Sequence, residues 1–380
     1  MLRNERTRNL IYQALLLAEV IITGWVLVSN TLHNLETRQI RVGFDFLGRE
    51  AGFELAEKQI EFDATHSYGR AFVVGLLNTA LVAFLGIVIA TVLGTLIGVA
   101  RLSSNWLLAK LASVYVEVMR NVPLLLQLFV WYGLFTELLP AVAEAIRFGD
   151  AVFISQRGFR FAWPAEHAAW SGVKWALIAG IVLALAWRVR ARRLQQLTGA
   201  QPPVGWPSLA LIVGLPVLVW AVMGAPTQIE VPELSGFDFT GGKVLSPEFT
   251  ALLIGLSTYT AAFVAEVVRA GILAVDKGQG EAAMALGLSP GQRLRLVTLP
   301  QALRVIIPPM TSQYLNLTKN SSLAVAIGYP DLVAVANTTM NQTGQAIEAI
   351  AILMAVYLSI SLAISLFMNW YNHRMRLVER

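Results

Sequence analysis

Long apolar segments separated by shorter polar ones dominate the chain. A helix needs about 20 mostly apolar residues to cross a bilayer, and eight segments approach that length. The candidates are residues 10–30, 71–100, 112–139, 172–189, 207–224, 249–272, 304–328 and 347–370. The pattern therefore predicts an all-α membrane protein with about eight transmembrane helices.

The amino-acid composition agrees with a multi-pass protein in a lipid bilayer. Hydrophobic residues make up 56% of the chain and charged residues only 14%, whereas soluble domains carry about 25% charged residues. There is no cysteine and the four histidines are scattered, so no metal site is predicted. The net charge of +5 fits basic cytoplasmic loops, and nucleic-acid binding is not expected.

Basic residues alternate with acidic ones from one connecting segment to the next. Lys and Arg cluster at both chain ends, after the second and fourth spans, and around residues 277–304, whereas segments 31–66 and 225–248 are mainly acidic. Because Lys and Arg are enriched on the cytoplasmic side, both termini and the region 277–304 are predicted to be cytoplasmic.

The spans suggest a smaller unit with two additions. Residues 1–70 are predicted to form an N-terminal transmembrane helix and a periplasmic loop, and residues 140–248 an insert with two spans between periplasmic loops. Residues 71–139 and 249–380 then form a core of five spans. No internal repeat is evident, which argues against carriers built from inverted repeats.

A polar hairpin at residues 281–300, EAAMALGLSPGQRLRLVTLP, interrupts the apolar pattern. Its first helix, residues 281–286, is predicted to end at Gly287, because glycine adopts the left-handed C′ conformation at little cost. Ser289 is a favourable N-cap and Pro290 a favourable first residue for a second helix. Such a well-capped connection indicates a binding surface for a partner protein.

The seventh span is the most polar one. Pro300, Pro308 and Pro309 are predicted to break the chain at its beginning. Its polar side chains are Gln313, Asn316, Lys319, Asn320, Ser321 and Ser322. Polar groups at membrane depth must be buried in protein or line a wet cavity, so this helix is predicted to border a hydrophilic pathway. Lys319 either receives a substrate carboxylate or pairs with Asp331 or with another helix.

Other polar and small residues within the spans are predicted to be structural. Glu117 with Arg120, and Glu266 with Arg269, have i,i+3 spacing and are predicted to form ion pairs. The Gly94-x-x-x-Gly98 pattern is predicted to let two helices pack closely.

The chain lacks the residues that an energy-converting enzyme needs. It contains no G-x-x-x-x-G-K-[ST] nucleotide-binding loop, and no nucleophile–base arrangement or metal motif stands out. If the chain performs work, its energy therefore comes from an ion gradient or from a partner.

The hairpin matches the EAA signature of ABC importer permeases. The matching residues are Glu281, Ala282, Ala283, Gly287, Val297, Leu299 and Pro300. The stretches YVEVMRNVPLLLQLFVWYG, AAFVAEVVRAG and PQALRVIIPPMTSQYLNLTKNSSLAVAIGYPDL resemble the polar amino acid permeases of that superfamily. The leading span and the insert resemble the larger permease of the general L-amino acid systems.

The resemblance implies a type I importer permease fold, in which residues 273–303 form a coupling hairpin that docks on a cytoplasmic ATPase dimer. Arg293 and Arg295 are then expected to meet acidic residues of that ATPase. The polar residues of the seventh span, with Asn78, Asn121 and Gln127, are expected to line the substrate pathway.

The expected partners are a second homologous permease, forming a heterodimer, and a periplasmic amino-acid-binding protein. ATP and Mg²⁺ would bind the ATPase, and no cofactor is expected on this chain, which would lie in the bacterial inner membrane. The alternative is an ion-coupled secondary carrier that works alone through Glu117, Glu266 or Lys319.

Overall fold

The computed structural model describes residues 5–37, 43–236 and 238–375. In these ranges thirteen α-helices follow one another. They are α1 (Glu5–Thr37), α2 (Tyr68–Ala100), α3 (Trp106–Asn121), α4 (Leu124–Gly133), α5 (Ala168–Thr198), α6 (Gly205–Leu209), α7 (Leu215–Val222), α8 (Pro247–Leu273), α9 (Lys277–Ala285), α10 (Pro290–Arg293), α11 (Leu299–Asn320), α12 (Leu332–Thr343) and α13 (Ala346–Met375).

The chain divides into two compact units. One comprises Met1–Tyr132 with Glu248–Arg380, and the other is Gly133–Pro247, close to the boundaries of the insert expected at 140–248. Among the described residues, six helices are long and apolar enough to cross a membrane, and two bent helix pairs raise that number to eight. The helical membrane architecture is therefore the one that the apolar pattern predicts.

In the first unit, α2 packs closely against α8 through its glycines. A Cβ atom added at Gly94 would lie 2.6 Å from the Val264 Cβ, and one at Gly98 would lie 2.7 Å from the Ala265 carbonyl oxygen. Small residues at such positions let helix backbones approach. The Gly94-x-x-x-Gly98 pattern thus serves packing, as predicted.

We expect Gly94→Val to destabilise the protein by about 1–3 kcal/mol, because overpacking a close helix contact forces the backbones apart. The matched control is Gly133→Val, since Gly133 is helical and a Cβ there has no neighbour within 4 Å. Thermal unfolding in detergent measures both variants. Equal decreases in melting temperature for Gly94→Val and Gly133→Val would contradict the packing role of Gly94.

The predicted third span is two helices. The helices α3 and α4 meet at 105°, and Val122 between them is extended because the following Pro123 disfavours the helical conformation before it. The Gln127 Nε2 atom donates hydrogen bonds of 2.9 Å to the carbonyl oxygens of Met119 and Val122 at the end of α3. The segment predicted as a span over 112–139 is therefore a bent pair of helices and not one straight helix.

The prolines of the seventh span do not break it. Helical structure runs from Pro290 to Ile327, through a π-helical turn at Leu294–Thr298, α11 and a 3₁₀ segment. Pro300 is the second residue of α11, which directly follows the π-helical turn. Pro308 and Pro309 lie inside α11. The predicted breaks are wrong, and α12, at 52° to this run, was not predicted.

The second unit contains α5–α7 and eight short strands. The strands are β1 (Ile146–Phe148), β2 (Val152–Ser155), β3 (Gly158–Phe161), β4 (Trp163–Pro164), β5 (Ile229–Glu230), β6 (Glu233–Ser235), β7 (Asp238–Thr240) and β8 (Lys243–Leu245). One antiparallel sheet has the order β1-β2-β3-β8, and the pairs β4-β5 and β6-β7 form two smaller sheets. The all-α expectation therefore holds for the predicted spans but omits these strands.

Candidate functional site

The coupling hairpin, residues 273–303, has two helices joined by a rigid turn. Gly287 follows α9 with a φ of +76°. Its N–H donates to the Met284 carbonyl at 2.9 Å, and the Leu288 N–H donates to the Ala283 carbonyl at 3.1 Å. These two bonds form a Schellman motif. Gly287 thus ends the helix as predicted, although α9 begins at Lys277 rather than at residue 281.

The second half of the hairpin is fixed by a capping box. The Ser289 Oγ accepts from the Gln292 N–H at 3.4 Å, and the Gln292 Oε1 accepts from the Ser289 N–H at 2.9 Å. Pro290 is the first residue of α10, as predicted. The π-helical turn, which contains Val297, then continues directly into α11, so Leu299 and Pro300 belong to α11 itself.

The tip of the hairpin presents apolar side chains to the outside. Leu286 is 81% exposed, and Met284 and Leu296 are also exposed. Glu281 and Ala282 are exposed beside them, whereas Ala283 is buried. An exposed apolar group of this kind on a polar segment marks an interaction surface.

The two arginines of the hairpin differ in environment. Arg293 is half-buried, and its Nη1 lies 3.5 Å from the Met284 sulfur, so its side chain packs back on α9. Arg295 is exposed. Of the two, Arg295 is the one free to meet an acidic partner.

A polar cavity of about 300 Å³ lies between α8 and α11. It is lined by Tyr259, Thr260, Phe263, Gln313, Asn316 and Asn320. The last three lie on one face of α11, at spacings of three and four residues. The structure thus brings together three of the predicted pathway residues with three side chains of α8 that the sequence did not indicate.

A charged cavity of about 470 Å³ shares Phe263 with the polar cavity. It is lined by Arg101, Val116, Glu117, Arg120, Asn121, Phe263 and Glu266. The Arg120 guanidinium lies 5.2 Å from the centre of the Phe263 ring, a cation–π contact. Phe263 therefore lines both an uncharged polar cavity and a charged one.

Glu266 joins three helices in the charged cavity. Its carboxylate accepts from Arg269, the predicted i,i+3 partner, and also from Arg101 at the end of α2. The Arg101 Nε lies 3.4 Å from the Ser113 Oγ of α3. The carboxylate thus ties α2 and α3 to α8.

The predicted Glu117–Arg120 ion pair is wrong. Within the described ranges Glu117 forms no ion pair, and Arg120 stacks on Phe263 instead. The aromatic partner comes from another helix, which i,i+3 spacing on α3 does not reveal.

Four other predicted pathway residues bind backbone groups. The Asn78 Nδ2 donates to the carbonyls of Glu57 and Pro330 at 2.9 Å and is fully buried. Gln127 caps α3, as described above. The hydroxyls of Ser321 and Ser322 donate to the carbonyls of Thr318 and Lys319. Asn78, Gln127, Ser321 and Ser322 therefore have structural tasks in this fold.

Lys319 does not pair with Asp331. Asp331 is fully buried, and its Oδ1 accepts from the Ala334 N–H at 2.8 Å as the N-cap of α12. Lys319 is exposed and forms no ion pair in the part of the chain that the structure describes. Its ammonium group remains available next to Asn320.

Sequence reasoning missed Arg101, Tyr259 and Phe263. Arg101 was assigned only to a basic loop, because its partner Glu266 lies 165 positions away. Tyr259 and Phe263, whose rings are 5.0 Å apart, lie in an apolar helix, where aromatic residues are more often core or lipid contacts. The i,i+4 spacing of Tyr259 and Phe263, which places both rings on one face of α8, is the sequence feature that could have indicated a shared site.

The comparisons with known proteins agree with each other. A family model described as a binding-protein-dependent transport system inner membrane component matches residues 204–377. The general L-amino acid transport system permease protein AapQ of Rhizobium johnstonii is 49% identical, over 98% of this chain and 93% of its own length. The glutamate/glutamine/aspartate/asparagine transport system permease protein BztB of Rhodobacter capsulatus is 42% identical, over 99% of this chain and 95% of its own.

Proposed function

Because this chain belongs to the family of binding-protein-dependent transport system inner membrane components, we propose that it is the permease subunit of an ATP-driven importer of L-amino acids. The family consists of transport permeases, so the chain is a multi-pass membrane transport subunit and not an enzyme. The substrate class follows from the two amino acid permeases to which nearly the whole chain is similar.

The observation that carries the proposal is the continuous helical run from Pro290 to Ile327. It joins the exposed hairpin to the helix face that lines the polar cavity. A partner that moves the hairpin therefore moves Asn316 as well. In this proposal the helical run transmits the movement from the hairpin to the substrate pathway. This is alternating access driven from outside the chain.

In this proposal the hairpin and both termini lie in the cytoplasm of a bacterial cell, and the chain spans the inner membrane. The exposed residues Met284, Leu286 and Leu296 dock on a dimeric ABC ATPase, which binds ATP and Mg²⁺. The chain itself binds no cofactor. A second, homologous permease completes the pathway as a heterodimer, and a periplasmic binding protein delivers the amino acid.

The polar cavity and the charged cavity are consecutive parts of the pathway in this proposal. Gln313, Asn316 and Asn320 offer amide groups to the amino acid. Lys319 is exposed one position before Asn320 but does not line the cavity, and in this proposal its long side chain reaches the substrate carboxylate. The amino acid then passes Phe263, which lines both cavities, and Asn121 lies beyond it in the charged cavity.

Reconstitution distinguishes this function from an ion-coupled secondary carrier. Proteoliposomes are prepared with the ATPase and the second permease, and the binding protein is added on the periplasmic side. We expect them to accumulate L-amino acids only when ATP is present on the side of the membrane that carries the ATPase. The chain alone should not respond to a proton or sodium gradient. Gradient-driven uptake by the chain alone would overturn the proposal in favour of the carrier.

We expect Asn316→Leu to reduce ATP-driven uptake about tenfold or more, because leucine removes the amide that faces the cavity and leaves substrate polar groups unpaired. Ser322→Ala is the matched control, since the Ser322 hydroxyl already binds the Lys319 carbonyl, and it should keep near-normal uptake. Initial uptake rates at equal membrane content measure both. Normal uptake by Asn316→Leu would exclude Asn316 from the pathway.

A further inference from the structure

The second unit contains a cavity of about 960 Å³ to which the proposed transport route assigns no role. Its side chains include Trp163, Glu166, Trp170, Lys174, Glu230 and Lys243. The pairing of β4 with β5 places Trp163 opposite Glu230, and the pairing of β3 with β8 places Lys243 opposite Phe161. The cavity thus lies between short strands and the first turns of α5.

Two acidic and two basic side chains line this cavity. Glu166 and Glu230 are exposed, as are Lys174 and Lys243, and none of the four forms an ion pair within the described parts of the chain. Two carboxylates and two ammonium groups that share a recess without pairing are complementary to a ligand that itself carries both signs.

The position of the cavity indicates where such a ligand comes from. The helix α5 is long and apolar enough to cross a membrane, and Lys174 lies about 9 Å along it from its first residue. A lysine near the end of a membrane-spanning helix is favourable where it reaches water or a polar partner. Trp170 lies one turn earlier on the same face, and tryptophans are enriched at the level of lipid headgroups.

Hydrogen bonds position Trp170, one of the two tryptophans that line the cavity. The Trp170 Nε1 donates to the Ala165 carbonyl at 2.9 Å, and the Ala165 N–H donates to the Gln228 carbonyl at 2.9 Å. These bonds anchor the edge of the cavity beside the β4-β5 pair. The cavity is therefore built from fixed backbone with charged side chains around it.

We propose that this cavity binds the headgroup of a zwitterionic phospholipid that carries a primary ammonium group, as phosphatidylethanolamine does. Lys174 and Lys243 bind the phosphate, and Glu166 and Glu230 accept hydrogen bonds from the ammonium group. A trimethylated ammonium group has no N–H to donate, so a choline headgroup binds more weakly.

The test measures lipids bound to the purified full chain by native mass spectrometry, with phosphatidylethanolamine, phosphatidylcholine and phosphatidylglycerol added in equal amounts. We expect preferential retention of phosphatidylethanolamine. Lys174→Gln and Glu230→Gln should each reduce that retention about tenfold, since each removes a charge-assisted hydrogen bond. Asp150→Asn, which removes an exposed carboxylate outside the cavity, should leave it unchanged.

Three results would overturn the proposal. The first is equal retention of phosphatidylcholine, and the second is retention by Lys174→Gln equal to that of the unchanged chain. The third is displacement of the lipid by a free L-amino acid, which would assign the cavity to a soluble zwitterion. All charged side chains involved are exposed, so unchanged melting temperatures for the variants separate lost binding from lost folding.

Discussion

Gly287→Val is expected to abolish ATP-driven uptake while the chain stays in the membrane. Gly287 has a φ of +76°, and a Cβ there has no neighbour within 4 Å, so the cost arises in the backbone and not from crowding. A left-handed conformation costs an ordinary residue about 1–2 kcal/mol and a β-branched one more. Valine therefore opens the Schellman turn and misplaces the hairpin tip.

Gly291→Val is the matched control in the same hairpin. Gly291 lies in α10, has no neighbour within 4 Å of an added Cβ, and does not have a positive φ, so this variant should retain most uptake. Gly287→Asn should recover part of the activity, because asparagine tolerates the left-handed conformation. Uptake and co-purification of the ATPase are both measured.

Two outcomes would contradict the coupling role of the Gly287 turn. Normal ATP-driven uptake by Gly287→Val would show that the turn is dispensable. Equal loss in Gly287→Val and Gly291→Val would show that the added side chain blocks docking and that the left-handed backbone is irrelevant.

Glu266→Gln is expected to lower the free energy of unfolding by about 3 kcal/mol, because removing one partner leaves the guanidinium groups of Arg101 and Arg269 without their carboxylate. These side chains are partly exposed, which places the effect at the lower end of the range for buried pairs. The melting temperature in detergent and the yield of folded protein measure the change.

Glu117→Gln is the control for the Glu266 variant. Glu117 lines the same charged cavity but lacks an ion pair in the described residues, so its substitution should change stability by less than about 0.5 kcal/mol. Similar losses for Glu117→Gln and Glu266→Gln would mean that net charge in the cavity, and not the link from α8 to α2 and α3, determines stability.

The features that the sequence predicted well depend on near neighbours. Apolar runs as long as a bilayer locate the spans, since no soluble helix needs so many consecutive apolar residues. The turn at Gly287 and the cap at Ser289 are encoded within a few positions. The polar face of α11 was visible because amides within an apolar helix are costly without a wet environment.

The features that it missed depend on distant contacts or on short elements. Hydropathy joins α3 and α4 into one candidate span, although Glu117, Arg120 and Asn121 interrupt the apolar run just before the bend at Pro123. Pro308 and Pro309 lie inside α11, because neighbouring groups in a packed membrane helix can compensate for lost backbone bonds. The strands of the second unit have two to four residues, too few for an alternating pattern to be recognised.

The π-helical turn at Leu294–Thr298 has a consequence for the angular phase of the hairpin. A π turn closes its hydrogen bonds over one residue more than an α turn does, so α10 and α11 are offset by one residue, or about 100° around the helix axis. Deleting one residue from this turn would rotate the docking tip relative to the face that carries Asn316. The direction in which a movement of the hairpin reaches the cavity is thus set by the number of residues in this turn.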